Sequence, residues 1–369
     1  MSLIKTCKKH IAVIIFSVFT VMCTAIYIAG MLSKDFAEYY SRNIASVFRF
    51  FLGAVSSAAP FSLAEFIIIL FSISVVITVI SLISCLIKVV FGIEKRKLTR
   101  LIFVPFIILI IVWNLFALTF STSYNRYSVE EHLSLDGDIK TDDLFDTLEW
   151  FISELNKGVE NIHFNSEGMS ETNGSFSQNA TLINNALNDL SQKYAFLQRF
   201  GFKAKPILLS EPMTYTHISG VYTFFTGESN VNINYPDYIT TFSTAHECAH
   251  QRGIAYENEA NFIAFLTCLE SEDDYIRYSG LAFMYTYLSN EAYKTDRERY
   301  YSLTSMLDRR IIGEYSAYSK FFEKYEDNFF EETASAINDT YLKSQGQEGV
   351  ISYSKVTTML VNYYTDHIR

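Results

Sequence analysis

His246-Glu247-Cys248-Ala249-His250-Gln251-Arg252-Gly253, followed by Glu257-Asn258-Glu259-Ala260-Asn261-Phe262, is the stretch that decides how this chain is read. Two histidines four residues apart lie one turn apart on one face of a helix, so their imidazoles converge on a single ion. Neutral imidazole nitrogen suits Zn²⁺. Glu247 points to the side where a water on that ion would sit, and can take its proton and later pass it to a leaving amine. A catalytic zinc needs a third protein ligand and one open position. Gly253 ends the helix, the chain turns, and a second helix starts near Glu257. Glu257 and Glu259 are both within reach by sequence. Ala260 and Ala264 allow this helix to pack closely on the first, so Glu259 is expected as the third ligand. Glu257 is then a helix N-terminal charge favoured by the dipole. Thr244-Ala245-His246-Glu247 also fits a capping box, in which Glu247 would only close the start of a helix.

The 369 residues are 49% hydrophobic and only 19% charged, which is unusual for a wholly soluble protein. The charge is unevenly spread. Residues 1–122 hold 11 Lys and Arg against 4 Asp and Glu, leaving 19 against 36 in the remainder. A basic apolar part joined to an acidic polar part points to a membrane anchor carrying a water-exposed domain. The acidic domain is expected to repel both nucleic acid and anionic lipid head groups, so neither is expected as a partner. Five cysteines, three of them in the apolar part, form neither a disulfide framework nor a thiolate metal site. Cys248 and Cys268 are expected as small core residues.

Ile11 to Leu32 is uncharged and follows Lys5, Lys8 and Lys9. Such a run spans a bilayer core of roughly 30 Å. Second and third spans are expected over about 61–90 and 101–122, giving an anchor over 1–122 and a domain over 123–369. Lys95, Arg96, Lys97 and Arg100 crowd the connection between the second and third spans. The positive-inside rule puts the N-terminus and that connection in the cytoplasm and the domain outside, in a multi-pass protein of the cytoplasmic membrane. Between the first two spans, Phe36, Tyr39, Tyr40, Ile44, Val47, Phe48 and Phe51 recur at helical spacing. That pattern fits an interfacial amphipathic helix or a helix packed on the domain.

Within the domain, helices are expected over 142–155, with Thr141 as N-cap, and over 180–200, separated by a loop at 165–178. Lys205 to Ser210 is a strand candidate. Val221–Phe225 and Asn230–Asn234 flank Thr226-Gly227-Glu228-Ser229 as a hairpin whose edge can hold an extended peptide across the metal. From Tyr275 to about residue 328 the chain reads as helical. The donor that would stabilise an oxyanion has no single candidate among Tyr215, His217, Tyr222, Tyr278 and Tyr285. Because Thr, Ser, Gln and Arg surround the motif, its site works in water and not within the membrane.

The N-terminal spans, Gly220-Val221-Tyr222 and its hairpin, the two quoted stretches, Asn338–Lys343 and Gln345–Gln347 together resemble an uncharacterised family of bacterial polytopic membrane proteins. That family, catalogued as a domain of unknown function, resembles the gluzincin branch of metallopeptidases. The resemblance implies a zincin-like domain in which His246, His250 and Glu259 bind Zn²⁺ and Glu247 is the base. Asn261 stands where gluzincins often carry an aspartate bonded to a histidine. The expected fold is α+β, mainly α, with three N-terminal transmembrane helices and a small sheet in the domain. The expected activity is hydrolysis of peptide bonds in peptides or envelope proteins outside the membrane, with Glu247 as general base on a zinc-bound water. A non-catalytic zinc-binding envelope sensor or assembly factor is the alternative.

Overall fold

The computed structural model describes residues 2–90, 95–135, 137–326, 333, 335–336 and 353–369. The Asn338–Lys343 and Gln345–Gln347 motifs lie outside the described residues. Helix α1 (Ser2–Leu32) leads through α2 (Lys34–Tyr40) and a π turn (Ser41–Ala45) into α3 (Ser46–Ser57), then α4 (Leu63–Val90) and α5 (Lys95–Thr119). Two segments, Ile11–Leu32 and Leu63–Ser84, are each 22 residues long and apolar enough to cross a membrane. Almost none of their residues is buried, so they are not core helices. The expected third span is shorter. Its described apolar helical part is Phe103–Thr119, and α5 ends at Thr119, ahead of the buried Phe120, Ser121 and Thr122. Two helices of membrane length, not three, are therefore present among the described residues.

The domain continues with α6 (Val129–Leu133), α7 (Thr141–Gly158), β1 (His163–Phe164), β2 (Ser170–Glu171), α8 (Phe176–Lys193), β3 (Lys205–Pro206) and α9 (Ser210–Thr214). Next come β4 (Gly220–Thr223), β5 (Glu228–Val231), α10 (Asp237–Gln251), α11 (Glu257–Glu270), α12 (Asp274–Thr295), α13 (Arg297–Thr304), α14 (Arg309–Phe322) and α15 (Tyr353–Tyr363). The domain is mainly helical with small sheets. Lys140, not Thr141, is the N-cap of α7, and it makes no side-chain cap. A capping box of Ser175 and Gln178 starts α8 earlier than its apolar pattern suggests. The loop expected at 165–178 contains β2, which pairs antiparallel with β1.

Strands β3, β5 and β4 form a sheet in that order, β5 parallel to β3 and antiparallel to β4. The hairpin begins earlier than its apolar residues predict, with Gly220 opposite Val231 and Thr223 opposite Glu228. All of β5 is buried, and Ile233 falls beyond it. At the centre of the core lies α10, surrounded by α8, α11, α12 and the sheet. Phe242 stacks on Phe283 with ring centroids 3.9 Å apart. Small residues along α10 and its neighbours permit this close approach. A Cβ on Gly280 of α12 would sit 2.4 Å from Cβ of Cys268 of α11, so α11 and α12 touch there. Cys248 and Cys268 are buried and free.

Candidate metal centre

Because α10 starts at Asp237, Thr244 and Glu247 lie in mid-helix, where Thr244 Oγ1 donates to the Thr240 carbonyl at 2.7 Å. The capping-box reading therefore fails. The helix ends at Gly253, whose φ of +92° is a left-handed conformation that glycine adopts without strain. Gly253 N–H donates to the His250 carbonyl at 2.9 Å and Ile254 N–H to that of Ala249 at 3.3 Å. The returning chain is fixed by Tyr256, whose hydroxyl donates to the Tyr124 carbonyl at 2.7 Å. Helix α11 then opens on Glu257.

The structure brings together His246, His250 and Glu257, with one ligand atom of each within 4.8 Å of the others. Nδ1 of His250 lies 2.8 Å from the Ile254 carbonyl oxygen. Nδ1 of His246 lies 2.8 Å from Oδ1 of Asn261, whose Nδ2 donates to the Tyr287 hydroxyl at 3.2 Å. A carbonyl oxygen only accepts, so each Nδ1 carries the proton and each neutral ring keeps a lone pair on Nε2. Those two Nε2 atoms face each other at 3.0 Å. The Glu257 oxygens lie 3.1 Å from Nε2 of His246 and 3.7 Å from Nε2 of His250. Acceptors converging in this way call for a cation between them. A tetrahedral zinc with bonds of about 2.0–2.1 Å requires ligand atoms about 3.3 Å apart. The three separations bracket that value, so the residues fit the ion.

The electrostatics agree. Burial disfavours a charged His250, but Glu257, Glu247 and the Ile254 carbonyl outweigh it and push its pKa up to about 9. Burial likewise opposes charge on Glu257, yet the two histidines hold its carboxyl well below the usual range. The cluster draws positive charge, whether proton or metal.

Glu259 does not join the cluster. Residues two apart on a helix point about 200° apart, so Glu257 and Glu259 cannot both face α10. The carboxylate of Glu259 accepts from Val129 N–H at 3.1 Å, at the start of α6. Burial pushes its pKa up to about 8, against the opposing pull of that N–H and of Arg126. Glu257 occupies the position expected for Glu259, and Asn261 sits against His246, the contact that the resemblance implied, although it was counted from Glu259.

Glu247 is buried beneath β4, an edge strand that pairs only with β5 among the described residues. A Cβ on Gly220 would lie 2.6 Å from Cγ of Glu247, so only glycine lets the strand approach this closely. The Tyr222 amide bonds the Glu247 carboxylate, and burial raises that carboxyl above its ordinary pKa despite the nearby histidines. Oε2 of Glu247 is buried without a hydrogen-bond partner. The site opens into a cleft of about 470 Å³ whose apolar wall includes Phe120, Tyr124, Phe224, Phe242 and Phe283. His217 and Tyr222 also line it. Of the other oxyanion candidates, Tyr278 is bonded to Glu314 in the core, and Tyr215 and Tyr285 lie off the cleft.

Residues 40–361 match the family model described as "Protein of unknown function (DUF3810)". The chain belongs to this family. No curated protein and no solved structure matches it. Of the residues that build the site, Glu257 was within reach by sequence but was expected at the helix start and not against the histidines, and the pattern gave no sign of Tyr287 or the Ile254 carbonyl. Gly220 lay within the quoted strand motif, but its contact with Glu247 had no signal.

Proposed function

We propose that the protein is a membrane-anchored, zinc-dependent peptidase that hydrolyses peptides or envelope proteins outside the cytoplasmic membrane. The observation that carries this reading is the convergence of two Nε2 lone pairs and the Glu257 carboxylate beside an unpartnered carboxylate oxygen of Glu247. Zinc held by His246, His250 and Glu257 would supply Lewis acidity to a peptide carbonyl and to the attacking water. Glu247, with Oε2 free of other partners, would accept the proton of that water and return it to the leaving amine. Asn261 and the Ile254 carbonyl hold the imidazoles in the tautomer that presents Nε2. The edge of β4 that pairs with no second strand among the described residues would offer its main-chain groups other than the Tyr222 amide to an extended substrate, and the aromatic wall would limit water around it.

For the anchor, the C-terminal end of α1, the N-terminal end of α4 and the C-terminal end of α5 all meet the domain. Trp113 Nε1 of α5 donates to Thr24 Oγ1 of α1 at 3.1 Å. Leu63 and Ala64 of α4 donate their N–H groups to Glu228 at 3.1 and 2.8 Å. The described apolar part of α5, Phe103–Thr119, is already long enough to reach the short end of what can cross a bilayer. With Lys5, Lys8 and Lys9 and the basic start of α5 in the cytoplasm, the ends of α1 and α5 that meet the domain would lie outside, and the domain with them.

The test compares full-length, detergent-solubilised, zinc-loaded protein with its Glu247→Gln variant on a peptide library read by mass spectrometry. Wild type is expected to cleave, and the variant to bind zinc equally but cleave about 10²–10⁴-fold more slowly. No cleavage by either folded, zinc-loaded protein would sink the peptidase reading and leave the zinc-binding sensor.

A further inference from the structure

Helix α3 is inside out. Its buried residues are Arg49, Gly53 and Ser56, whereas Val47, Phe48, Phe51 and Val55 are exposed. Beside it, between α3 and the connection from α8 to β3, lies a cleft of about 560 Å³. Five arginines and no acidic residue line it. Arg42 and Arg199 are exposed at its mouth, and Arg49, Arg126 and Arg252 form its buried floor.

These charges are poorly compensated. Glu38 meets Arg126 at 3.0 Å and Arg42 at 3.4 Å. Arg49, Arg199 and Arg252 have no carboxylate partner among the described residues. Arg49 instead donates to Gln198 Oε1 at 3.0 Å and to the carbonyls of Thr119 and Ser41 at 2.8 and 3.0 Å. Arg252 donates to the Gln198 carbonyl and to Asn184 and Asn188, leaving Nε buried and unpartnered. Burial lowers the pKa of both Arg49 and Arg252 to about 10, so both stay charged at neutral pH. Buried cations without counter-ions are costly, and a bound anion offsets that cost. In a domain that is otherwise strongly acidic, this basic cleft is a local reversal.

We propose that the cleft binds the phosphate headgroup of an anionic phospholipid. Guanidinium groups at the mouth match phosphate oxygens. The rim matches acyl chains, with Val47, Phe50, Phe51 and Phe200 all exposed. One wall of the cleft also belongs to the segment that joins the two membrane-length helices. Helix α3 is the link between α1 and α4, and Leu208 and Leu209, both exposed, donate their N–H groups to Glu65 in the first turn of α4. A soluble phosphate ester would use the arginines but not this apolar rim. The site is independent of the chemistry at the metal centre.

The experiment uses full-length protein in a zwitterionic detergent. Native mass spectrometry and thermal unfolding are followed as phosphatidylglycerol, phosphatidylcholine or inorganic phosphate is added. Arg42→Gln/Arg199→Gln removes two exposed side chains without touching the core. Phosphatidylglycerol is expected to bind more tightly than phosphatidylcholine, and the double variant to lose about 30-fold of that affinity while its lipid-free melting temperature is unchanged. Equal binding of the two lipids, or unaltered phosphatidylglycerol binding by the double variant, would overturn the site. Stabilisation by millimolar inorganic phosphate with no preference between the lipids would overturn the lipid assignment.

Discussion

Replacing Glu257 and Glu259 separately by glutamine tests which carboxylate completes the metal centre. The oxygens of Glu257 lie 3.1 and 3.7 Å from the two Nε2 atoms, whereas Glu259 faces Val129 N–H on another side of α11. With both imidazoles neutral, Glu257 carries the only formal negative charge within the trio, and glutamine cannot supply it. Groups one hydrogen bond removed from a metal change its affinity by about 10–100-fold. Loss of the carboxylate that faces the ion is therefore expected to exceed about 100-fold, while Glu259→Gln stays within about threefold. In stability terms, zinc at about 100 times its Kd adds about 2.7 kcal/mol to folding of the wild type. At the same zinc concentration a variant weakened 100-fold gains only about 0.4 kcal/mol. Competition against a fluorescent zinc chelator gives the affinities, and thermal unfolding with and without zinc gives the stabilities, both on the full chain in detergent. A loss in Glu259→Gln equal to or larger than that in Glu257→Gln would refute the geometry. Unchanged affinity in both variants would refute the metal centre.

Two further outcomes follow from hydrogen bonds away from the ion. Asn261→Ala removes the acceptor of His246 Nδ1–H and is expected to weaken zinc by about 10–100-fold, with Asn261→Asp at least restoring wild-type affinity; the same chelator competition decides, and an unaffected Asn261→Ala would refute the role. Glu314 is buried, and its burial raises its pKa although Ser170 and Tyr278 donate to it. From about pH 4.3 up to its raised folded value, the unfolded chain has lost a proton that the folded protein keeps, so stability falls as pH rises. Glu314→Gln should flatten that part of the curve of urea midpoint against pH, and an unchanged slope would count against the burial argument.

Much of the metal helix was legible in the sequence because its signals are local. The i,i+4 histidines and the glycine at the helix end each act through a few neighbouring residues, and the structure reproduces both. The carboxylate that joins the two histidines was different. Choosing between Glu257 and Glu259 requires knowing where the first turn of α11 begins and how it crosses α10, and both depend on the anchoring of Tyr256 to Tyr124 from the end of the apolar helices. The hairpin was recognised but displaced, because its register is set by Gly220 packing on Glu247 and not by its own apolar alternation. Periodicity also showed that the residues of α3 form an apolar face but not which way the face points. Polar burial of Arg49 against carbonyls of three other segments turns that face outward.

These non-local contacts meet at one place. Gly253 closes the metal helix, and a Cβ there would lie 2.7 Å from Nη2 of Arg49 in α3. The next carbonyl along, that of Ile254, holds Nδ1 of His250 at 2.8 Å. Arg126 reaches the same corner, donating to the Phe196 carbonyl at 2.8 Å while paired to Glu38 of α2. The turn that orients one candidate ligand is therefore packed against helices that belong, in sequence, to the link between the two membrane-length segments. Fragments that begin after α5 lack Arg49 and Glu38 and expose the buried end of α10. The geometry of the candidate metal centre is consequently a property of the longer chain, because the residues that fix it come from both sides of the boundary that composition draws near residue 122.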